Sequence, residues 1–155
     1  MKYRMMRNSS VLAIAATLSL ATAAGAVDAP LPWAFNGERA EGYSIDLVTV
    51  DPSPGTALAA GSKVNVKITV SYSMTIAPHG GIALVAQDDR DRPAAPGAAP
   101  PYVEVNSRTG QVSLSQTILV PRNAKELRVF VPLMPDGLKI TKGEVTIRYP
   151  IESEK

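Results

Sequence analysis

The side chains able to do chemistry are few and scattered. His79 is the only histidine and there is no cysteine. It sits in the turn Pro78-His79-Gly80-Gly81. A serine-based triad would need this imidazole as its base, and no G-x-S-x-G elbow or comparable serine context accompanies it, so His79 reads as an exposed turn residue. One histidine and no thiol cannot assemble a zinc site of several N or S ligands. His79 with Met74 or Met134 would suit Cu(I), which thioethers bind, but Met74 falls on the buried phase of a strand and reads as core. Asp88-Asp89-Arg90-Asp91 is the densest acidic cluster and offers oxygen ligands of the kind Ca²⁺ takes. Its spacing departs from D-x-[DN]-x-[DN]-G, and Arg90 and Arg92 neutralise it, so it reads as a solvated loop. Glycoside hydrolysis would need two carboxylates across a sugar-lined cleft, and no aromatic platform stands beside these. The expectation is no catalytic residue, no metal and no cofactor.

Two segments suit interaction better than catalysis. Ala29-Pro30-Leu31-Pro32-Trp33-Ala34-Phe35 holds the sole Trp and one of the 2 Phe residues. Aromatics dominate interface energetics, so Trp33 and Phe35 are candidate partner-binding residues. The competing reading folds both back as a cover on the end of the domain, because an exposed lone Trp is costly. The second segment, Pro93 to Tyr102, is a polyproline-like excursion that ends on the third candidate, Tyr102. Its plainer reading is a surface loop between strands.

The elements that must position these residues follow an N-terminal pattern of their own. Lys2, Arg4 and Arg7 precede an uncharged apolar run, Val11 to Ala23, and an A-x-A signal at Ala24-Gly25-Ala26. That order is a signal peptide over 1–26, with cleavage expected after Ala26. The run is shorter than the roughly 20 apolar residues of a membrane span, so no stable membrane insertion is expected after cleavage. With no Cys in the leader, no lipid anchor is expected. The protein is expected in the periplasm or secreted. Removing the three leader cations from the 16 Lys plus Arg leaves 13 against 14 Asp plus Glu, one net negative charge. The remaining cations form no basic run, which argues against nucleic acid and against an anionic membrane surface as partners.

The residues after the leader suffice for one domain with a real core, without disulfides. Alternation with period two recurs along them and helical periodicity does not. Lys63 to Met74 is the clearest strand, with Val64, Val66, Ile68, Val70, Tyr72 and Met74 on one face. Gln111 to Val120, Leu127 to Leu133 and Val145 to Ile151 repeat the pattern. Tyr43 to Asp51 starts in phase through Ile45 and Leu47, then slips to Val48 and Val50, as at a bulge or in a strand that changes sheets. Ile82 to Ala86 is apolar on both faces and reads as central; Tyr102 to Asn106 is a short, weaker strand. Pro132 and Pro150 read as outward-facing and near strand ends. Turn clusters such as Asp51-Pro52-Ser53-Pro54-Gly55 and Pro135-Asp136-Gly137 separate the strands.

About seven strands at this spacing predict an all-β, antiparallel sandwich over 43–151, preceded by an N-terminal arm (27–42) and followed by a tail (152–155). On this strand count and the Gly61-Ser62-Lys63-Val64-x-Val66 entry, the chain resembles the immunoglobulin-like and fibronectin III-like sandwiches of bacterial exported proteins. It departs from true immunoglobulin domains in lacking the Cys pair, the core Trp and the tyrosine corner. The resemblance concerns architecture, and architecture does not fix function. The expected role is a non-catalytic interaction or adhesion module that binds an envelope or extracellular component. The alternatives are a structural subunit assembling by strand addition and a small metal-dependent hydrolase around Asp88, Asp89, Asp91 and His79.

Overall fold

The computed structural model describes residues 32–37, 39–95, 97–136 and 140–152, all within the unit Leu31–Lys155. The signal-peptide reading of 1–26 lies outside the described residues. The strands are β1 (Ala34–Asn36), β2 (Tyr43–Asp51), β3 (Leu58–Ala59), β4 (Lys63–Met74), β5 (Gly80–Ala83), β6 (Val85–Asp88), β7 (Tyr102–Val105), β8 (Thr109–Leu119), β9 (Glu126–Pro135) and β10 (Gly143–Glu152). They build a three-stranded sheet in the order β2-β4-β8 and a larger sheet in the order β1-β10-β9-β5-β7, with β6 also on β9 and β3 also on β10. Every pairing is antiparallel except the short β3–β10 contact. The fold is an all-β sandwich.

The alternating side chains explain why these segments are strands and why they stack. On β4, Val66, Ile68, Val70, Tyr72 and Met74 are buried while Lys63, Asn65 and Lys67 are exposed. Opposite them across the core lie Leu127, Val129, Val131 and Leu133 of β9 and Val145, Ile147 and Tyr149 of β10, in one cluster with Ile45, Ile82 and Leu84. Each such Val, Leu or Ile contributes roughly 1.5–3 kcal/mol on burial. Slipping any strand by one residue would carry its apolar set to solvent, so the core fixes the register.

Each of the seven expected strands has its counterpart, with Ile82 to Ala86 divided between β5 and β6; the structure adds β1 and β3, bears out the slip in β2 and corrects the placing of Pro132 and Glu152. The slip in β2 is a bulge: the register with β4 shifts between Leu47 and Thr49. Val48 is the extra residue and is exposed, while Val50 packs on the core. Pro132 does not face solvent at a strand end; it is buried within β9, opposite Glu144. The run Gly80 to Asp88 holds one register along β9, with Ile82 opposite Leu133 and Val85 opposite Phe130. Between those pairs comes Pro132, which has no N–H to donate, so the ladder lapses and β5 and β6 are separate strands. Leu84 N–H points the other way, to Pro101 O at 3.0 Å, in line with the β5–β7 register. Finally, Glu152, expected in the tail, closes β10 opposite Ala59.

Candidate interaction surface

The arm folds onto the sandwich as an edge strand. β1 pairs with β10, Ala34 opposite Ile147, Phe35 opposite Thr146 and Asn36 opposite Val145. Ala34 packs against the core, and alternation turns its neighbours Trp33 and Phe35 to the outer face of the large sheet. Trp33 is therefore no buried cover: it is 46% exposed. Its place is nevertheless fixed. Its carbonyl accepts from Arg148 N–H at 2.7 Å, and Gly55 N–H reaches Arg148 O at 3.0 Å. The ring lies on Gly55, where a Cβ would stand 2.7 Å from Trp33 Cγ, and Gly55 holds φ +78. Glycine is required there twice, by the contact and by the backbone. The Arg148 guanidinium lies 5.7 Å from the ring centroid, a cation–π approach.

From Trp33 a chain of charges crosses the outer face. Arg148 Nη2 meets Glu126 Oε2 at 2.5 Å. Arg128, opposite Arg148 in the β9–β10 ladder, lies with its Nε 3.9 Å from Glu126 Oε1 and its Nη2 3.0 Å from Asp91 Oδ1. Glu126 thus separates two arginines that would otherwise repel. Beside this chain, Phe35, Thr146, Phe130 and Val85 succeed one another across β1, β10, β9 and β6. Thr146, the polar member of this row, is only 3% exposed and donates to Glu144 Oε1 at 3.0 Å. The sequence carried a signal for this face in Glu126, Arg128 and Arg148, which occupy the phase opposite to Leu127, Val129, Ile147 and Tyr149. The pairing that joins them was not visible.

Tyr102 stands elsewhere. It lies on β7, at the far edge of the large sheet from β1, and is 53% exposed. Its ring packs over Gly81, where any Cβ would collide with it. Tyr102 therefore shields a glycine within a strand, and the structure does not bring it together with Trp33 and Phe35.

The acidic cluster is not the solvated loop expected. Asp88 is 2% exposed at the end of β6. Its Oδ1 accepts from Arg90 N–H at 2.8 Å and Arg92 N–H at 3.0 Å, and its Oδ2 from Arg92 Nε at 2.7 Å. Arg92 Nη2 adds an ion pair at 2.6 Å. Burial alone would push the Asp88 carboxyl up, but the Arg92 and Arg90 donors and the Arg92 charge outweigh it and hold the group at about 2. The carboxylate closes a turn, in which Asp91 takes φ 60. Asp89 Oδ2 receives Lys125 N–H at 3.4 Å, while its Oδ1 is buried without a partner. Among the described residues no three His, Asp or Glu side chains gather as a metal site would require. His79 lies exposed between β4 and β5, and Met74 is fully buried.

One further polar group ties the sheets together. Tyr149, 0% exposed, donates from its hydroxyl to Pro52 O at 2.8 Å. Burial and then the Asp51 charge push the phenol up from 10.0.

No protein-family model and no curated protein matches the chain. Among solved structures, it is similar to a glycosyl hydrolase family 2 member from Bacteroides cellulosilyticus DSM 14838, with a TM-score of 0.47, 15% identity, and coverage of 70% of this chain and 15% of that one. It is also similar to a beta-glucosidase from Listeria innocua in complex with isofagomine, with a TM-score of 0.40, 15% identity, and coverage of 70% and 16%. The chain thus spans only a small part of either structure.

Proposed function

We propose that the protein is an exported, non-catalytic β-sandwich module that binds an envelope or extracellular component through the outer face around Trp33 and Phe35. The observation that carries the reading is Trp33 itself, half exposed yet held by Gly55, Arg148 and the β1–β10 ladder. An aromatic already ordered in the free protein loses little entropy on binding, and Trp and Arg are the side chains most enriched at interface hot spots. The acidic residues near it are engaged in the fold: Asp88 in a turn, Asp91 with Arg128, and Glu126 with Arg148. We read the topology as immunoglobulin-like, with β2, β4 and β8 as strands A, B and E and β5/β6, β9 and β10 as C, F and G. The parallel β3–β10 contact supports that reading.

The test is capture from an envelope extract by immobilised protein. Trp33→Ala and Phe35→Ala should each reduce the captured species at least about tenfold, as hot-spot truncations do, whereas Tyr102→Ala should not. Undiminished capture by a folded Trp33→Ala variant would overturn the reading. Turnover by the purified protein that is lost in Asp89→Asn would favour the hydrolase instead.

A further inference from the structure

Among the described residues the two sheets end on β1 and β7 and on β2 and β8, with the short β3 and β6 as further one-sided strands, and the end strands other than β8 are protected in the ways natural edges usually are. β1 is only 3 residues long and follows Pro32. β7 has 4 residues, carries Glu104 and follows Pro100 and Pro101. β2 is bulged at Val48, carries Asp46 and Asp51, and has Arg39 paired to Asp46. β8 is the exception. Its 11 residues, Thr109-Gly-Gln-Val-Ser-Leu-Ser-Gln-Thr-Ile-Leu119, contain no charge and no proline, and they pair with β4 in one unbroken register.

The direction of its backbone groups can be read from its ends. Val120 exchanges hydrogen bonds with Ser62 and Gly61 on the β4 side, and Arg108 O accepts from Met74 N–H at 2.6 Å on the same side. Even-numbered residues therefore point their N–H and C=O at β4, and odd-numbered ones point outward. Gln111, Ser113, Ser115, Thr117 and Leu119 are all exposed. Their outward backbone groups have no partner among the described residues.

We propose that β8 is a self-association edge, at which two copies of this chain pair β8 with β8 antiparallel about a twofold axis at Leu114, joining the two small sheets into one. The register is self-complementary. Ser113 faces Ser115 of the second copy, Gln111 faces Thr117, and Thr109 faces Leu119, so small or uncharged side chains meet at every outward position. A twofold about a residue also pairs odd with odd, as the outward N–H and C=O groups require. This deepens the interaction-module reading and rests on it, but it concerns a different edge from the Trp33 face, and the two can fail separately.

The experiment is sedimentation equilibrium of the exported protein and three variants. The wild type should be dimeric. Ser115→Pro removes one outward N–H and no β4 hydrogen bond, so it should be monomeric with its thermal midpoint in dilute solution kept. Gln111→Lys with Thr117→Lys sets like charges opposite each other and should weaken dimerisation at least about tenfold. Gln111→Lys with Thr117→Glu sets opposite charges face to face and should restore the dimer. A monomeric wild type would overturn the proposal while leaving the Trp33 capture experiment intact. A wild-type dimer indifferent to Ser115→Pro and to the Lys/Lys pair would equally overturn it, and failure of the Lys/Glu pair to restore the dimer would overturn the register.

Discussion

Tyr149→Phe removes a single oxygen from the core and leaves the ring volume unchanged. The ring is fully buried, and its hydroxyl supplies a donor to the Pro52 carbonyl at 2.8 Å, across 97 residues of chain. Without it that part-buried carbonyl loses its partner, which costs about 1–2 kcal/mol at neutral pH and lowers the thermal midpoint by a few degrees. The pH dependence carries an independent signature. The folded state holds the phenol's pKa above its ordinary value of 10.0, so the unfolded chain releases the proton first. Stability from the buried neutral phenol is intact below pH 10.0 and is lost progressively as pH rises beyond it. The wild type should therefore lose stability above that pH faster than Tyr149→Phe, and the gap between them should narrow. Urea denaturation of both proteins from pH 7 to 11 measures it. A variant as stable as wild type at pH 7, or a gap that stays constant to pH 11, would refute the packing and the hydrogen bond assigned to Tyr149.

Other outcomes follow from the same structure. Val66→Asp, at a position with 0% exposure, should cost at least about 3 kcal/mol or prevent folding, whereas Lys67→Gln next to it should stay within about 0.5 kcal/mol. Equal urea midpoints for the two would show that the phase of β4 is wrong. Asp88→Asn should lower stability at pH 7, and its deficit should vanish as pH falls from 3.8 towards about 2, because the wild-type carboxylate is then protonated too; acid titration followed by circular dichroism reads this. Trp33 emission should be intermediate and quenched by iodide, and Trp33→Ala should cost about 1–2 kcal/mol, less than a fully buried indole would. A strongly blue-shifted, unquenched emission would contradict the half-exposed position.

What the sequence disclosed depended on how local the cause was. The alternation of β4, β8, β9 and β10 is written in consecutive residues, and so is the slip in β2, though not that Val48 would be the residue expelled. Pro132 misled because its missing donor is tolerated only where a neighbouring strand can interrupt its ladder, which depends on the β5/β6 partner. Asp88 looked solvated because a run of charges gives no sign that one member will turn inward and gather Arg90 and Arg92. β1 and β3 are too short to show periodicity at all; they exist because β10 leaves an edge to pair with. Trp33 and Phe35 were recognisable by type, but their orientation follows from the β1–β10 register, and the separation of Tyr102 follows from the β5–β7 pairing at the opposite edge.

Hydrogen exchange of the free protein and of its complex with the captured component tests the central claim most directly, that binding uses a face already built around Trp33. In the free protein, the amides of Phe35 and Gly37, which face β10, should already be protected, and binding should add protection at 33–36 and 146–149 and leave 102–105 unchanged. Fast exchange at Phe35 and Gly37 in the free protein, or binding protection confined to 79–81 and 88–91, would contradict the account.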